Sequence, residues 1–292
     1  MTRFTLFKRF KASLYEKRMV LFLAGISAVA VFTTSSAFAQ GNLILLQKRV
    51  VFEGGLKNAT IEFGNIGKDT ARYVVSMLNM RMKEDGSFEN ITEPDSGQYF
   101  AEKYVRFFPR NIVLAPNESQ TMKIQLVNTR DLQPGEYRSH LYFRAVPNMQ
   151  DKQEAPAGNK EGISISLKPV FGITIPVIIR AGEPNTTVKL SDLALVQQND
   201  STQAVNFTIH RSGNFSVYGD ITATYIAADG KEIEAGSVKG VAVYTPGTLR
   251  TSRLALRNID GVDYHNGKLV VKYARQAEED DAVMAEAELK LK

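Results

Sequence analysis

Apolar and polar residues alternate along most of this chain, which is the pattern of β-strands that bury one face. The longest alternating segment spans residues 163–180 and is about three times as long as a typical strand. Its apolar positions are Ile163, Ile165, Leu167, Phe171, Ile173, Ile175, Val177 and Ile179. Pro169 and Pro176 each remove a backbone donor from the hydrogen-bond ladder, which predicts that this strand lies at a sheet edge.

A long apolar strand at a sheet edge is an aggregation hazard, because its unpaired backbone groups attract other chains. We therefore predict that the segment 163–180 is offered to a partner protein. The alternative is an ordinary core strand with bulges at Pro169 and Pro176.

Shorter strand candidates, separated by turn residues, lie on both sides of this segment. Before it they are 43–52, 59–64, 71–82, 104–108, 112–114, 121–127 and 138–146, with polar loops at 87–98 and 147–162. After it they are 188–195, 204–211, 217–227, 232–243, 249–256, 268–274 and 282–291. A linker at 181–184 separates the two groups. Because there is almost no helix signal, the chain is predicted to be all-β, with two β-sandwich domains at 40–181 and 182–292.

The first 39 residues have the composition of a cleaved secretory signal peptide. Basic residues precede an apolar run at 19–32, and small residues at 36–39 offer a cleavage point before Gln40. The run is shorter than the roughly 20 residues that span a bilayer. We therefore expect export rather than stable membrane insertion, with an uncleaved anchor as the alternative.

Charge and reactive side chains limit the possible functions once this leader is set aside. Removing its six Lys and Arg and its one Glu from totals of 36 and 31 leaves 30 basic and 30 acidic side chains. A nucleic-acid-binding protein would be expected to carry a net basic surface. The chain has no Cys and three His without metal-ligand spacing. We predict that it is not an enzyme and needs no cofactor or metal.

A turn followed by an aromatic residue stands at the start of one predicted strand. The sequence LQPGEY at 132–137 places Tyr137 directly after the turn. This arrangement is typical of the tyrosine corner of Greek-key sandwiches, in which the hydroxyl bonds back to the turn backbone.

Several of these blocks together resemble the periplasmic pilus or fimbrial assembly chaperones (the PapD-like family). In the first half they are RVVFEG at 49–54, YVRFFP at 104–109, LAP at 114–116, QTMKI at 120–124 and LQPGEYRSHLYFRAVP at 132–147. Weaker matches follow at 211–214 and 241–246. The resemblance covers most of 43–182 and implies two immunoglobulin-like domains, as in a divergent member of that family.

The resemblance also implies a function, which is the stabilisation of fimbrial subunits by donor-strand complementation before their assembly. It implies a periplasmic location, pilus subunits as clients and an outer-membrane usher as a further partner. The donor residues would be Ile163, Ile165 and Leu167, continued by Phe171 and Ile173. We favour the earlier three as the inserting residues, since 171–179 can instead be the part that is fixed within the first domain.

Two basic residues are implied to hold the subunit's terminal carboxylate. The first matches Arg49, whose guanidinium can grip a carboxylate through two hydrogen bonds. The position of the second is occupied here by Pro176, so the assignment passes to Lys168, the nearest basic residue upstream. A two-domain structural or adhesive surface protein, which would use the sandwiches only as a scaffold, is the alternative function.

Overall fold

The computed structural model describes residues 43–147, 170–199, 202–276 and 282–291. Within these ranges nearly all regular structure is β, and the only helical elements are short 3₁₀ turns at Glu102–Tyr104 and Thr129–Asp131. The described part contains no helix long and apolar enough to cross a membrane.

The strands of the first half form a sandwich and an attached hairpin. They are β1 (Leu43–Leu45), β2 (Val50–Phe52), β3 (Asn58–Asn65), β4 (Ala71–Leu78), β5 (Met80–Met82), β6 (Phe88–Asn90), β7 (Val105–Phe108), β8 (Asn111–Leu114), β9 (Ser119–Leu126), β10 (Gly135–Ala145) and β11 (Gly172–Ala181). One sheet has the order β1-β3-β9-β7 and the other has the order β2-β11-β10-β4-β8, while β5 and β6 pair only with each other.

The second half repeats the architecture with fewer strands. They are β12 (Thr187–Asn199), β13 (Thr202–Ser212), β14 (Val217–Ile226), β15 (Glu232–Val243), β16 (Leu249–Ala255), β17 (Gly267–Ala274) and β18 (Val283–Leu291). Their sheets have the orders β12-β13-β16 and β15-β14-β17-β18.

Both halves are immunoglobulin-like sandwiches, because strand order in that fold places A, B, E and D in one sheet and C, F and G in the other. In the first sandwich β1, β3, β9 and β7 take the places of A, B, E and D, and β4, β10 and β11 those of C, F and G. In the second, β12, β13 and β16 stand for A, B and E, and β14, β17 and β18 for C, F and G. The predicted fold class is confirmed.

Each sandwich has its own apolar core. Phe52, Phe63 and Phe143 lie in the first core, and Phe207 and Tyr273 lie in the second. A smaller set from the first half, Val51, Met82 and Ile178, packs with the second core instead. The outer face of the β2–β11 sheet and the β5–β6 hairpin therefore rest against the second sandwich.

Several predicted local structures are present. The Tyr137 hydroxyl donates to the Gln133 carbonyl at 3.2 Å and accepts the Gln133 N–H at 3.0 Å, which completes the tyrosine corner. The C-terminal residues form β18, paired with β17. Strand β11 ends at Ala181 and β12 begins at Thr187; the domain boundary at 181–182 remains a prediction.

Three predicted elements were wrong in extent. The segment 43–52 is not one strand, because β1 and β2 are separated by residues 46–49 and lie in different sheets. The run at 71–82 is divided at Asn79, whose side chain accepts a hydrogen bond from Ser139 and donates one to Glu102. The polar stretch 87–98 is not all loop, because Phe88–Asn90 pairs with Met80–Met82. This hairpin is closed by the hydrogen bond from Lys83 N–H to the Ser87 carbonyl at 2.9 Å. Its polar composition concealed the short strand.

Candidate functional site

Strand β11 has one partner along its whole length and a second along only part of it. It pairs antiparallel with β10 from Gly172 to Ala181, and parallel with β2 only from Val177 to Ile179. In the portion of the chain described, residues 172–176 have no strand on the edge that β2 occupies further along. The predicted edge position is therefore correct for the first half of β11 and wrong for its second half.

The backbone groups that face this open edge follow from the alternation of an antiparallel ladder. The Ala145 N–H donates to the Phe171 carbonyl at 3.0 Å, so the backbone of Phe171 faces β10. The even-numbered residues Gly172, Thr174 and Pro176 then direct their backbone groups to the open side. Pro176 has no N–H, but its backbone nitrogen faces away from β10, so the pairing with β10 loses no hydrogen bond.

The apolar face of β11 passes from the core to solvent along the same strand. Val177 is completely buried and Ile175 is 4% exposed, whereas Ile173 is 39% and Phe171 is 65% exposed. Side chains on alternate positions share one face. A single apolar row therefore begins inside the first sandwich and continues outward along the edge where no strand of the described ranges pairs with residues 172–176.

Arg49 lies at the far end of this edge, directly before β2. Its guanidinium carbon is 3.9 Å from the centroid of the Tyr218 ring, which belongs to β14 of the second sandwich. A cleft of about 1230 Å³ opens between the sandwiches at this point. Arg49, Arg180 and Arg275 line it together with Glu53 and Tyr218.

A buried carboxylate joins the two sandwiches behind the cleft. Glu136, on β10, accepts hydrogen bonds from the Ser216 N–H at 2.9 Å and the Ser216 hydroxyl at 2.7 Å. It also accepts from Thr245 Oγ1 at 3.1 Å and from Arg180 Nε at 3.3 Å. Arg180 in turn donates to Glu53 and to the Ser216 carbonyl, at 3.0 Å in each case. These bonds hold the cleft walls in one arrangement.

Two further basic side chains on β10 are buried in the same interface. Arg138 donates through Nη2 to the carbonyls of Met80 and Thr245, and its guanidinium lies over the Tyr244 ring. Burial lowers the pKa of Arg138. Burial, and secondarily the charge of Arg138, lowers the pKa of His140 to about 3. His140 is thus neutral at physiological pH.

The residues predicted for the site are only partly within the described structure. Ile163, Ile165, Leu167 and Lys168 lie outside the described ranges, so the donor residues favoured from sequence and the second carboxylate anchor remain predictions. Phe171 and Ile173 are found exposed at the start of β11, and Arg49 is found in the cleft.

Two residues of the site were missed from sequence. Tyr218 sits in an ordinary alternating strand, and nothing in that pattern indicates its contact with Arg49. Glu136 follows a turn and precedes Tyr137, where a surface position is the usual expectation for a carboxylate.

No family model matches the chain, and no curated protein matches it. Solved structures of fimbrial chaperones do match. The CupB2 chaperone of Pseudomonas aeruginosa is 12% identical with a TM-score of 0.43, over 85% of this chain and 100% of that chain. The DraB chaperone of E. coli is 14% identical with a TM-score of 0.41, over 86% and 97%. The structure of the Salmonella enterica SafA pilin in complex with the SafB chaperone is 14% identical with a TM-score of 0.41. The match covers 87% of this chain and 99% of that chain.

Proposed function

We propose that this protein is a periplasmic chaperone that stabilises fimbrial or pilus subunits by strand addition at the open edge of β11. The observation that carries the proposal is the half-open edge at 172–176. There the backbone pairs with no second strand among the described residues, and the side chains of Phe171 and Ile173 are exposed. Strand addition by a chaperone to a pilin is an established use of such an edge.

The position of β2 supports a proposal for the direction of the client strand. Since β2 runs parallel to β11 and begins at Val50 opposite Val177, it occupies the end of the same edge. A client strand that pairs in parallel with residues 172–176 would lie on the same edge of β11 as β2, and its last residue would face the start of β2. Its C-terminus would then approach Arg49, whose guanidinium can bind a terminal carboxylate.

Burial of apolar side chains would supply most of the binding energy. Each large side chain that passes from water into a client groove contributes roughly 1.5–3 kcal/mol. Phe171 and Ile173 are available for this, and Ile163, Ile165 and Leu167 would extend the same pattern. The main-chain hydrogen bonds of Gly172 and Thr174 would set the register.

The remaining parts of the proposal come from the sequence. The leader at 1–39 supports export to the periplasm, and the resemblance supports an outer-membrane usher as a second partner. A chaperone of this kind carries out no covalent chemistry, so the proposal includes no enzymatic activity and no cofactor.

Purification of the tagged protein from its native periplasm tests this function directly. We expect a subunit-like protein to co-purify in a one-to-one ratio and to be identified by mass spectrometry. Recovery of the protein alone, or with a bound sugar, would contradict the chaperone function and favour an adhesive surface protein.

Two matched variants test whether the open edge binds that client. Ile173→Asp places a charge on a half-exposed side chain, so the free protein should stay folded while the one-to-one complex is lost. Ile175→Asp makes the same change two residues later, inside the core, and should unfold the first sandwich. If Ile173→Asp unfolds the protein as Ile175→Asp does, or leaves the complex intact, the open edge is not the binding site.

A further inference from the structure

The open edge of β11 begins at Gly172, where the backbone conformation does not require a glycine. Gly172 does not have the positive φ that favours glycine over other residues. A Cβ at this position would instead lie 2.7 Å from both Cζ and the hydroxyl oxygen of Tyr142, and it would contact Cε2 as well. The Tyr142 ring therefore fills the space that a side chain at position 172 would take.

Tyr142 reaches this space diagonally from β10. It lies opposite Thr174 in the ladder, whereas Gly172 lies opposite Arg144. Diagonal neighbours on one face of an antiparallel pair are close enough for an aromatic ring to reach. The Tyr142 side chain is only partly buried, and Gly172 beside it is exposed. An aromatic ring placed over a glycine of the next strand compensates for the missing side chain.

This position brings the Tyr142 ring next to the place that an added strand would occupy. In the described ranges, residues 172–176 pair with β10 but with no strand on their other side. Neighbouring strands lie about 4.8 Å apart in a sheet. A client strand paired here would place one side chain opposite Gly172, on the face that carries the ring. Since Gly172 has no side chain, the ring would be the nearest neighbour of that client side chain.

The chemistry of the ring determines which client side chain fits best at this position. Pairs of an aromatic and a β-branched side chain on neighbouring strands are stabilising. A small side chain such as Ser covers less of the ring, and a carboxylate is disfavoured by the negative face of the ring. Phe171 and Ile173 cannot make this selection, because side chains at odd-numbered positions lie on the other face of β11.

We propose, on the premise of the chaperone function above, that Tyr142 is a specificity-determining residue for the client strand. Its ring contacts the client side chain opposite Gly172 and favours a β-branched residue there. Gly172 makes the contact possible, because any larger residue would displace the ring. The apolar row on one face of β11 contributes the burial, and the ring on the other face selects which client residue stands opposite position 172.

Two short synthetic peptides test this selection in the intact mature protein. Both carry a fluorescent label, and Val at alternate positions fits the apolar face of the edge. The positions between are all Thr in one peptide and all Ser in the other, so every register presents the same residue type to the ring. We expect the wild-type protein to bind the Val/Thr peptide about fivefold more tightly, as measured by fluorescence anisotropy.

Variants then assign this affinity ratio to the ring. Tyr142→Ser should lower the ratio about threefold, whereas Tyr142→Phe keeps the ring face and should preserve it. Gly172→Ala should lower the ratio by a similar factor, because the new methyl group turns the ring away. The double variant Gly172→Ala/Tyr142→Ser should lose no more than Tyr142→Ser alone, since both changes act on one contact. Thermal unfolding of each variant checks that its fold is intact.

The outcomes separate the role of Tyr142 from the function on which it rests. If the wild-type protein binds neither peptide, strand addition fails and the selection fails with it. If it binds both equally, strand addition stands and the selection by Tyr142 is wrong. An affinity ratio that Tyr142→Ser or Gly172→Ala leaves unchanged would also overturn the proposal, as would losses that simply add in the double variant.

Discussion

Glu136 and Arg180 lie opposite each other on neighbouring strands, and Arg180 Nε donates to Glu136 Oε2 at 3.3 Å. The Glu136 side chain is completely buried, and its carboxylate also accepts hydrogen bonds from Ser216 of the second sandwich. The Glu136–Arg180 ion pair belongs to the first sandwich, and the bonds from Ser216 to Glu136 connect it to the second sandwich. A buried carboxylate without such donors would be strongly destabilising.

We expect Glu136→Gln to lower the free energy of unfolding by about 3 kcal/mol. The amide has nearly the same shape, but it removes the negative charge beside Arg180 and replaces one acceptor oxygen with a donor. Urea unfolding at neutral pH measures the loss. Glu232→Gln is the control, because Glu232 is exposed on β15 and should change the stability by less than about 0.5 kcal/mol. Equal effects of the two substitutions would contradict the role of Glu136.

The buried His140 predicts a pH dependence of stability. Its pKa is about 3 in the folded protein, and an unfolded His has a pKa of about 6.5. As the pH falls the unfolded chain takes up this proton first, so the stabilisation is complete above about pH 6.5 and is lost progressively as the pH falls toward 3. At pH 5 the loss from this residue should reach about 2 kcal/mol.

His140→Phe should remove that share of the pH dependence. Phe retains an aromatic ring against Phe88, whose centroid lies 5.5 Å from that of His140. Urea unfolding between pH 7 and pH 5 compares the slopes of the variant and the wild type. His265→Phe is the control, because the His265 side chain is largely exposed. A wild-type slope in the His140 variant would show that the residue is protonated in the folded state as well.

The β5–β6 hairpin contacts the second sandwich closely enough to be tested at a glycine. Gly86 has a φ of +81°, and a Cβ there would come within 2.7 Å of the Arg250 guanidinium. Gly230 has a similar φ of +86°, but no atom lies within 4 Å of the place that a Cβ would take. Gly230→Ala should therefore cost about 1 kcal/mol for backbone strain alone, and Gly86→Ala should cost more because Arg250 must move.

Thermal unfolding of the two glycine variants measures that difference. Equal losses would mean that the hairpin does not depend on its contact with Arg250. A larger loss for Gly86→Ala would support the hairpin as a strap that joins the sandwiches, together with the bond from Thr251 N–H to the Glu84 carbonyl at 2.7 Å.

Arg49→Ala should affect binding far more than stability. The cation–π contact with Tyr218 is worth about 0.5–1 kcal/mol at a partly exposed site, so the unfolding temperature should fall only slightly. Loss of a desolvated charge-assisted contact to a client carboxylate should cost about 2–5 kcal/mol of affinity. Recovery of the client complex from periplasm measures the second effect, with the exposed Arg72 changed to Ala as the control. An undiminished yield of complex from Arg49→Ala would remove Arg49 from the site.

The sequence by itself determined most of the strands and the fold class. Period-2 alternation and turn residues are local signals, and local signals were sufficient for β3, β9, β14 and β17. Tyr137 is a further case, because the tyrosine corner depends on a bond to Gln133, only four positions earlier. The open edge was also indicated locally, by Pro176.

Only the tertiary structure decided which polar residues are buried and which residues of the other sandwich the cations contact. Arg138 and His140 lie on one face of β10 with the polar Ser139 between them, a pattern that by itself puts them in water. The second sandwich and the β5–β6 hairpin nevertheless cover that face of β10. The contact of Arg49 with Tyr218 joins residues that are distant in the chain and lie on different sandwiches. Alternation specifies that a strand has two faces, but what covers each face depends on long-range packing, which no local pattern contains.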